Sequence, residues 1–165
     1  MSFPAPRYWT AVMHSLLLGG PRLSHSFSTG QPELGPKLVK SVEGKINAVV
    51  ESYAAFGPIS SPGKVVGKSG VEHSFSFASK NKDELRLVGD VILSATDEDE
   101  TKVLSLFIKV YDVGAKRALL CVTPRLTPEA SRLARLYNIL TIESPDPRLL
   151  PGMLQDLLKR LARAP

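Results

Sequence analysis

The stretch VLSLFIKVYDV, residues 103–113, decides how the chain folds, because it places one lysine, Lys109, among apolar and aromatic residues. A run of this composition is typical of a buried strand, and we predict an extended conformation for it. An ammonium group is costly to bury unless another group pairs with it or uses it. Lys109 is therefore either a paired or functional side chain, or one whose flexible stem carries its charge to the surface.

The overall composition is that of one folded domain with an excess of positive charge. The 165 residues include 43% hydrophobic and 22% charged residues, and the formal net charge is +5. This charge favours anionic partners, of which nucleic acid is the commonest. The single cysteine, Cys121, lies in the apolar run ALLCV and is expected to be a small buried residue. Without a disulfide framework or an apolar run of membrane-spanning length, we expect a cytoplasmic protein with no membrane partner.

Residues 1–37 differ from the rest and are predicted to be a disordered or dispensable tail before a domain of residues 38–165. The first 30 residues contain no acidic residue, carry Arg7 and Arg22, and are rich in serine. That composition also resembles an organelle transit peptide, which would direct the protein to an organelle instead. The Pro- and Gly-rich stretch STGQPELGPK, residues 28–37, is typical of a linker that ends such a tail.

The first part of the predicted domain combines a helix with three extended runs. Apolar residues at helical spacing predict a helix after residue 38 that ends at Gly57 and Pro58. A loop with a short extended piece, KVV, follows it. Short polar turns separate the three runs, so we expect them to pair as an antiparallel meander. The runs are VEHSFSFASK (71–80), LRLVGDVILSA (85–95) and KVLSLFIKVYDV (102–113).

The second part is predicted to be a βαβ unit followed by a final helix. The apolar run ALLCV fits a buried central strand, and ILTIE fits a second strand. Between them, Thr127 is a natural N-cap with Pro128 at the first helical position. We therefore predict an α/β fold in which a central mixed sheet, built from the meander and the right-handed βαβ unit, is flanked by helices. The final helix is expected to turn four leucines toward the core: Leu154, Leu157, Leu158 and Leu161.

This order of elements, with Asp90 in the second extended run and Lys109 in the third, resembles the restriction-endonuclease-like superfamily. Within it, the chain is similar to the Mrr-type branch of small archaeal and bacterial proteins. The segments that carry the likeness are GKSGVEHSFSF, LVGDVIL and LFIKVYDVGAKRALLCVTPRLTPEASRLARLYNILTIE. The resemblance covers roughly residues 38–145 and implies a restriction-endonuclease-like fold.

The resemblance also implies a catalytic pattern, which this chain matches only in part. Active members use an Asp on one strand and, on the next, an acidic residue, any residue and Lys. The carboxylates hold Mg²⁺, which activates a water, and the lysine orients that water or neutralises developing charge. Lys109 matches the lysine, and Asp90 matches the first acid and metal ligand. Phe107 stands where the second acid belongs, and Ser76 occupies another position where an aspartate would fit. The site is therefore degenerate; no cofactor is expected, and Mg²⁺ only in an active nuclease.

Other side chains near this pattern are candidates to complete it. The carboxylates are Glu43, Glu51, Glu72 and Asp112. On a regular strand Asp112 faces away from Lys109, and Glu72 alternates with His73, so that only one of these two can face Asp90. Glu72 and His73 are nevertheless kept as catalytic candidates, although His73 also fits a half-buried structural histidine. Alternatively, Asp90 and Lys109 form a purely structural pair across neighbouring strands.

Basic residues supply the candidates for nucleic-acid contact. The loop GKVVGKSG lacks the spacing of a nucleotide-binding loop, but Lys64 and Lys68 within it are suited to phosphate contacts. A second group is predicted to form a basic face: Lys116, Arg117, Arg125, Arg132 and Arg135. DNA or RNA is the expected partner, and a homodimer is a further expectation.

Three hypotheses of function follow. The preferred one is a degenerate restriction-endonuclease-like domain that is not an enzyme and acts as a nucleic-acid-binding or interaction module. The second is a divergent Mg²⁺-dependent endonuclease that uses Asp90, Lys109 and a displaced carboxylate. The third is a structural or adaptor protein that binds no nucleic acid.

Overall fold

The computed structural model describes residues 34–163, so nearly all of the predicted tail lies outside the described residues. Within these residues there are four α-helices: α1 (Pro36–Glu51), α2 (Glu100–Val113), α3 (Pro128–Leu136) and α4 (Leu150–Arg163). Seven strands accompany them: β1 (Ile59–Ser60), β2 (Gly63–Val66), β3 (Glu72–Phe75), β4 (Phe77–Asn81), β5 (Glu84–Leu93), β6 (Arg117–Thr123) and β7 (Ile139–Glu143). Two short 3-10 turns lie at Ala54–Phe56 and Pro147–Leu149.

Five of the strands form a central mixed sheet in the order β1-β4-β5-β6-β7. The pairs β1–β4 and β4–β5 are antiparallel, whereas β5–β6 and β6–β7 are parallel. Helices α1 and α4 cover one face through buried residues such as Ile46 and Leu154, and α2 and α3 cover the other through residues such as Leu106 and Ala134. The prediction of an α/β fold with a central mixed sheet between helices is confirmed.

The βαβ unit at the end of the domain agrees with its sequence signals. The Thr127 hydroxyl accepts a hydrogen bond from the Ala130 N–H at 3.2 Å, which caps α3 at the residue where a cap was predicted. Helix α4 buries Leu154 and Leu158, while Leu157 and Leu161 are partly buried against the same cluster. Cys121 is fully buried in β6, and burial raises the pKa of its thiol to about 12.

The stretch 103–113 is a helix, so the prediction of a strand was wrong. The Asp99 carboxylate caps α2 by accepting from the Thr101 N–H at 2.9 Å, and Gly114 ends it in the left-handed conformation with φ of 67°. Its inward residues recur at intervals of three and four, the spacing of one helix face. They are Val103, Leu106, Phe107, Val110 and Val113.

The predicted three-stranded meander was also wrong, because only its first and second runs pair as expected. Strands β4 and β5 form an antiparallel hairpin, but α2 follows them as a crossover that makes β6 parallel to β5. The run 71–80 is divided between β3 and β4. Strand β3 pairs with β2 in a separate two-stranded ribbon, residues 63–75, that is not part of the main sheet.

The ribbon packs closely on the sheet where its first residue has no side chain. A Cβ atom added at Gly63 would lie 2.7 Å from the Ala78 backbone nitrogen, which leaves room only for glycine. No helix within residues 34–163 is both long and apolar enough to cross a membrane.

Candidate functional site

Asp90 and Lys109 meet between β5 and α2. Side chains alternate along β5, and Val88 and Ile92 pack in the core beneath α2 and α3. Asp90, which lies between them, therefore points to the same face, where the Lys109 Nζ of α2 donates to its Oδ2. Each side chain is 20% exposed, so the pair is mostly shielded from water.

Both members of this pair have further partners. The Lys109 Nζ also donates to the Ser74 carbonyl oxygen at 3.0 Å and lies 4.8 Å from the centre of the Phe75 ring. The Asp90 Oδ1 accepts from the Ser76 N–H at 3.0 Å. The pair thus fastens the ribbon to α2 and to the sheet at the same time.

The contact between Asp90 and Lys109 was anticipated, but its geometry was not. The prediction placed the two residues on neighbouring strands, whereas Lys109 reaches Asp90 from a helix. Phe107 was expected to share a strand face with Lys109. At about 100° per residue, the two side chains are instead 200° apart around an ideal helix, on nearly opposite sides. The Phe107 ring stacks on Tyr137 with 4.0 Å between ring centres and does not belong to the site.

Asp112 lies on the same side of α2 as Lys109, so the strand geometry that placed it on the opposite face was wrong, although its partners are Ser69 and His73. Residues three apart are neighbours on a helix. The Asp112 Oδ2 lies 2.6 Å from the His73 Nε2 and accepts from the Ser69 hydroxyl at 2.6 Å, while Oδ1 accepts from the Ser69 N–H at 2.9 Å. The hydrogen bonds from Ser69 and then from His73 lower the pKa of Asp112 to about 2. We call Asp112, His73 and Ser69 the latch, because they hold the ribbon on α2.

The other proposed carboxylates do not join Asp90. Glu72 makes a salt bridge with Lys64 at 3.1 Å on the outer side of the ribbon. Glu43 borders a cavity of about 160 Å³ together with Ser76 and Val91, on the α1 side of the sheet. Glu51 is exposed at the last residue of α1.

The residues around Asp90 do not fit a magnesium site of the implied kind. Both oxygens of Asp90 already accept hydrogen bonds, one of them from an ammonium group that occupies the place of a cation. The Ser76 hydroxyl accepts from the Val91 N–H at 3.0 Å and contributes no negative charge. Within residues 34–163 no three His, Cys, Asp or Glu side chains are grouped as metal ligands.

The predicted basic face is divided between distant parts of the fold. Lys116 and Arg117 stand at the start of β6 and Arg125 follows its end, so roughly 20 Å of strand separates them. Arg132 and Arg135 are exposed on α3. Of all the residues proposed to contact nucleic acid, three form salt bridges with acidic partners: Lys64 with Glu72, Lys116 with Glu84, and Arg125 with Asp97.

Sequence reasoning missed Ser69 and Ser74 as partners of the α2 side chains. Ser74 acts through its backbone carbonyl, which no side-chain pattern can indicate. Ser69 had a signal, because the turn residues of GKSG predict a tight tip. That tip brings the Lys68 N–H to the Asp112 carbonyl oxygen at 2.9 Å.

No protein-family model matches the chain, and none of the curated proteins is similar to it in sequence. Among solved structures, it is similar to AF1548, a protein of unknown function, with a TM-score of 0.49 and 14% identity over 63% of this chain and 56% of that one. It is also similar to protein VC1899 from Vibrio cholerae, with a TM-score of 0.42 and 14% identity over 74% of this chain and 31% of that one. The chain thus spans about half of the first protein and about a third of the second.

Proposed function

We propose that the chain is a restriction-endonuclease-like domain of the Mrr type that binds nucleic acid without hydrolysing it. The order of antiparallel strands followed by parallel strands with helical crossovers supports this assignment. The likeness in sequence supports it for the segments GKSGVEHSFSF, LVGDVIL and the part after Gly114, but not for LFIKVYDV, which the resemblance placed on a strand and which is a helix. The absence of hydrolysis rests on the state of Asp90 and Lys109.

The proposal rests on the observation that Asp90 and Lys109 are paired with each other. A catalytic lysine must direct its ammonium group at a water or a phosphate oxygen. Here the Lys109 Nζ donates to the Asp90 carboxylate and to the Ser74 carbonyl oxygen, and it lies over the Phe75 ring. Using Lys109 in catalysis would break these interactions and remove one of the attachments between the ribbon and α2, so we assign Lys109 a structural role.

Nucleic-acid binding is supported by the excess of positive charge. Two of the 21 basic residues and one of the 16 acidic residues precede residue 34, so residues 34–163 keep a net charge of +4. None of the salt bridges in this part of the chain involves Lys68, Arg132 or Arg135, all of which are exposed. Such side chains contact phosphates without reading sequence.

A second candidate, protein interaction through a homodimer, is favoured by the outer surface of α2. Leu104, Ile108 and Tyr111 are 38%, 62% and 76% exposed and form one stripe along the helix. The stripe carries no charge, although the chain as a whole is basic. A second copy can therefore meet it without like-charge repulsion across the contact.

The experiment measures binding and cleavage of labelled single- and double-stranded DNA and RNA, with Mg²⁺, Mn²⁺ or a chelator. We expect salt-sensitive binding of the parent and no cleavage. The double variant Arg132→Gln/Arg135→Gln should weaken binding to every sequence and reduce the salt slope by about 2. The matched control Lys40→Gln/Lys45→Gln removes the same charge from the exposed surface of α1 and should change both less.

Each alternative has a distinct outcome. Metal-dependent cleavage that is lost in both Asp90→Ala and Lys109→Ala would establish the divergent nuclease. Neither binding nor cleavage, together with the molar mass of a dimer by light scattering, would establish the interaction module. A monomer that binds no nucleic acid would leave the adaptor hypothesis.

A further inference from the structure

A basic cavity lies at the end of the sheet where β5 and β6 begin. Its volume is about 290 Å³, and three cationic side chains line it: Arg86, Lys116 and Arg117. Phe56 and Leu161 supply apolar walls. None of the residues that line the cavity is acidic. Arg86 lies four residues before Asp90 on β5, so the cavity is separate from the Asp90–Lys109 site.

A bulge in the β4–β5 hairpin sets the position of Arg86. Ser79 pairs with Leu87 and Lys80 pairs with Leu85, so Arg86 is the extra residue with no partner opposite it. An extra residue of this kind bends the strand and redirects a side chain. Here the redirected side chain is an arginine, and it borders the cavity together with the two basic residues that open β6.

Arg117 is held by a hydrogen bond, whereas Lys116 and Arg86 are held by ion pairs with Glu84. The Arg117 Nη1 donates to the Leu161 carbonyl oxygen of α4 at 3.3 Å, which leaves the other N–H groups of its guanidinium for a ligand. Glu84 lies between the other two cations, with Oε1 2.5 Å from the Lys116 Nζ and Oε2 3.3 Å from the Arg86 Nε. Lys116 and Arg86 lower the pKa of Glu84, so it stays ionised, yet three positive groups face one negative group.

We propose that this cavity binds a phosphate group. Two guanidinium forks and an ammonium group around one concave space match the several oxygens and double charge of a phosphate monoester. The apolar walls are suited to the organic part of the ligand, next to the phosphate. Two sources can present this group: a small phosphorylated molecule, or the phosphorylated end of an oligonucleotide. The inference goes beyond the proposed function, because it concerns a terminal phosphate and not the backbone.

The test titrates the full-length protein with inorganic pyrophosphate, with a mononucleotide, and with one oligonucleotide bearing either a 5′-phosphate or a 5′-hydroxyl. Arg86→Gln and Arg117→Gln should each weaken binding of the phosphate-bearing ligands on the order of tenfold. Lys40→Gln, which removes one positive charge from the exposed surface of α1, should change it less than about twofold. Glu84→Gln should strengthen binding, because it removes the carboxylate that competes for Arg86 and Lys116. Melting curves check that each variant is folded. Arg117→Gln removes the hydrogen bond to the Leu161 carbonyl oxygen of α4, so Arg86→Gln is the variant less expected to lower stability.

The ligands distinguish the two sources. Tight binding of pyrophosphate or the mononucleotide indicates a small molecule, whereas a preference for the 5′-phosphorylated oligonucleotide over its 5′-hydroxyl form indicates a nucleic-acid end. Equal losses in Lys40→Gln and Arg117→Gln, or no binding of any phosphate-bearing ligand, would overturn the inference. The proposed function fails separately, if the oligonucleotide is not bound in either form while pyrophosphate is.

Discussion

Replacing Lys109 by methionine tests whether Lys109 is paired with Asp90 in solution. Methionine keeps the apolar stem but removes the ammonium group, and with it the ion pair, the hydrogen bond to Ser74 and the contact with Phe75. Breaking a fully buried pair costs about 3–5 kcal/mol. Because both side chains are 20% exposed, we expect a loss of roughly 2 kcal/mol in the free energy of unfolding.

A double-mutant cycle isolates the pair from its surroundings. In Asp90→Asn the amide oxygen can still accept from the Ser76 N–H, which turns the amide NH₂ toward the Lys109 ammonium. That variant should therefore lose stability too, and combining it with Lys109→Met should remove the conflict between two donors. We expect a coupling free energy of about 1–2 kcal/mol from urea unfolding at neutral pH, with the slope unchanged.

The control is Lys102→Met, an exposed lysine on the same helix, which should change stability by less than about 0.5 kcal/mol. The reasoning would be refuted if Lys109→Met lowered the free energy of unfolding by no more than this control and if the effects of the two substitutions in the cycle were additive. Lys109 would then be free in solution, and the reasoning that assigns it a structural role would be wrong.

Two further predictions concern the latch. A Cβ atom at Gly67 would lie 1.9 Å from the Asp112 Oδ2, so Gly67→Ala should lower the melting temperature by about 3–6 °C. In the control Gly44→Ala, where nothing lies within 4 Å of the added Cβ atom, the melting temperature should rise by about 2–4 °C. Equal shifts in the two variants would contradict the latch. Because the pKa of Asp112 falls from the ordinary 3.8 to about 2, its stabilising contribution is complete above pH 4 and is lost as the pH falls to about 2. The melting-temperature difference between parent and Asp112→Asn should accordingly shrink over that range, and a difference independent of pH would show that the carboxylate charge plays no part.

Local signals were sufficient wherever caps and apolar spacing agreed. The helix after Thr127, the strand around Cys121 and the leucine face of α4 could all be predicted from the sequence. Residues 103–113 could not be assigned by composition, since β-branched and aromatic residues fit a strand as well as a buried helix. Asp99 and Gly114, the cap residues on either side, were the decisive signals, and the acidic stretch before them resembled a turn.

The site was harder to predict because it depends on the path of the backbone. The pairing of Asp90 with Lys109 was predicted from the family resemblance together with the need of a buried lysine for a partner. Which further groups join them depends on whether Lys109 belongs to a strand or a helix. The ribbon, the Ser74 carbonyl and the bulge at Arg86 arise from pairing between residues distant in sequence, and no local pattern specifies that pairing.

Because Cys121 is buried, alkylation of its thiol can be used to measure unfolding without an added label. Its thiol is the only one in the protein and lies fully covered in a central strand. A thiol-modifying reagent needs the thiolate, which the raised pKa suppresses in the native state. Alkylation must therefore wait until the sheet itself opens, so its rate reads out how often the whole domain comes apart, whereas release of the ribbon alone leaves the cysteine protected.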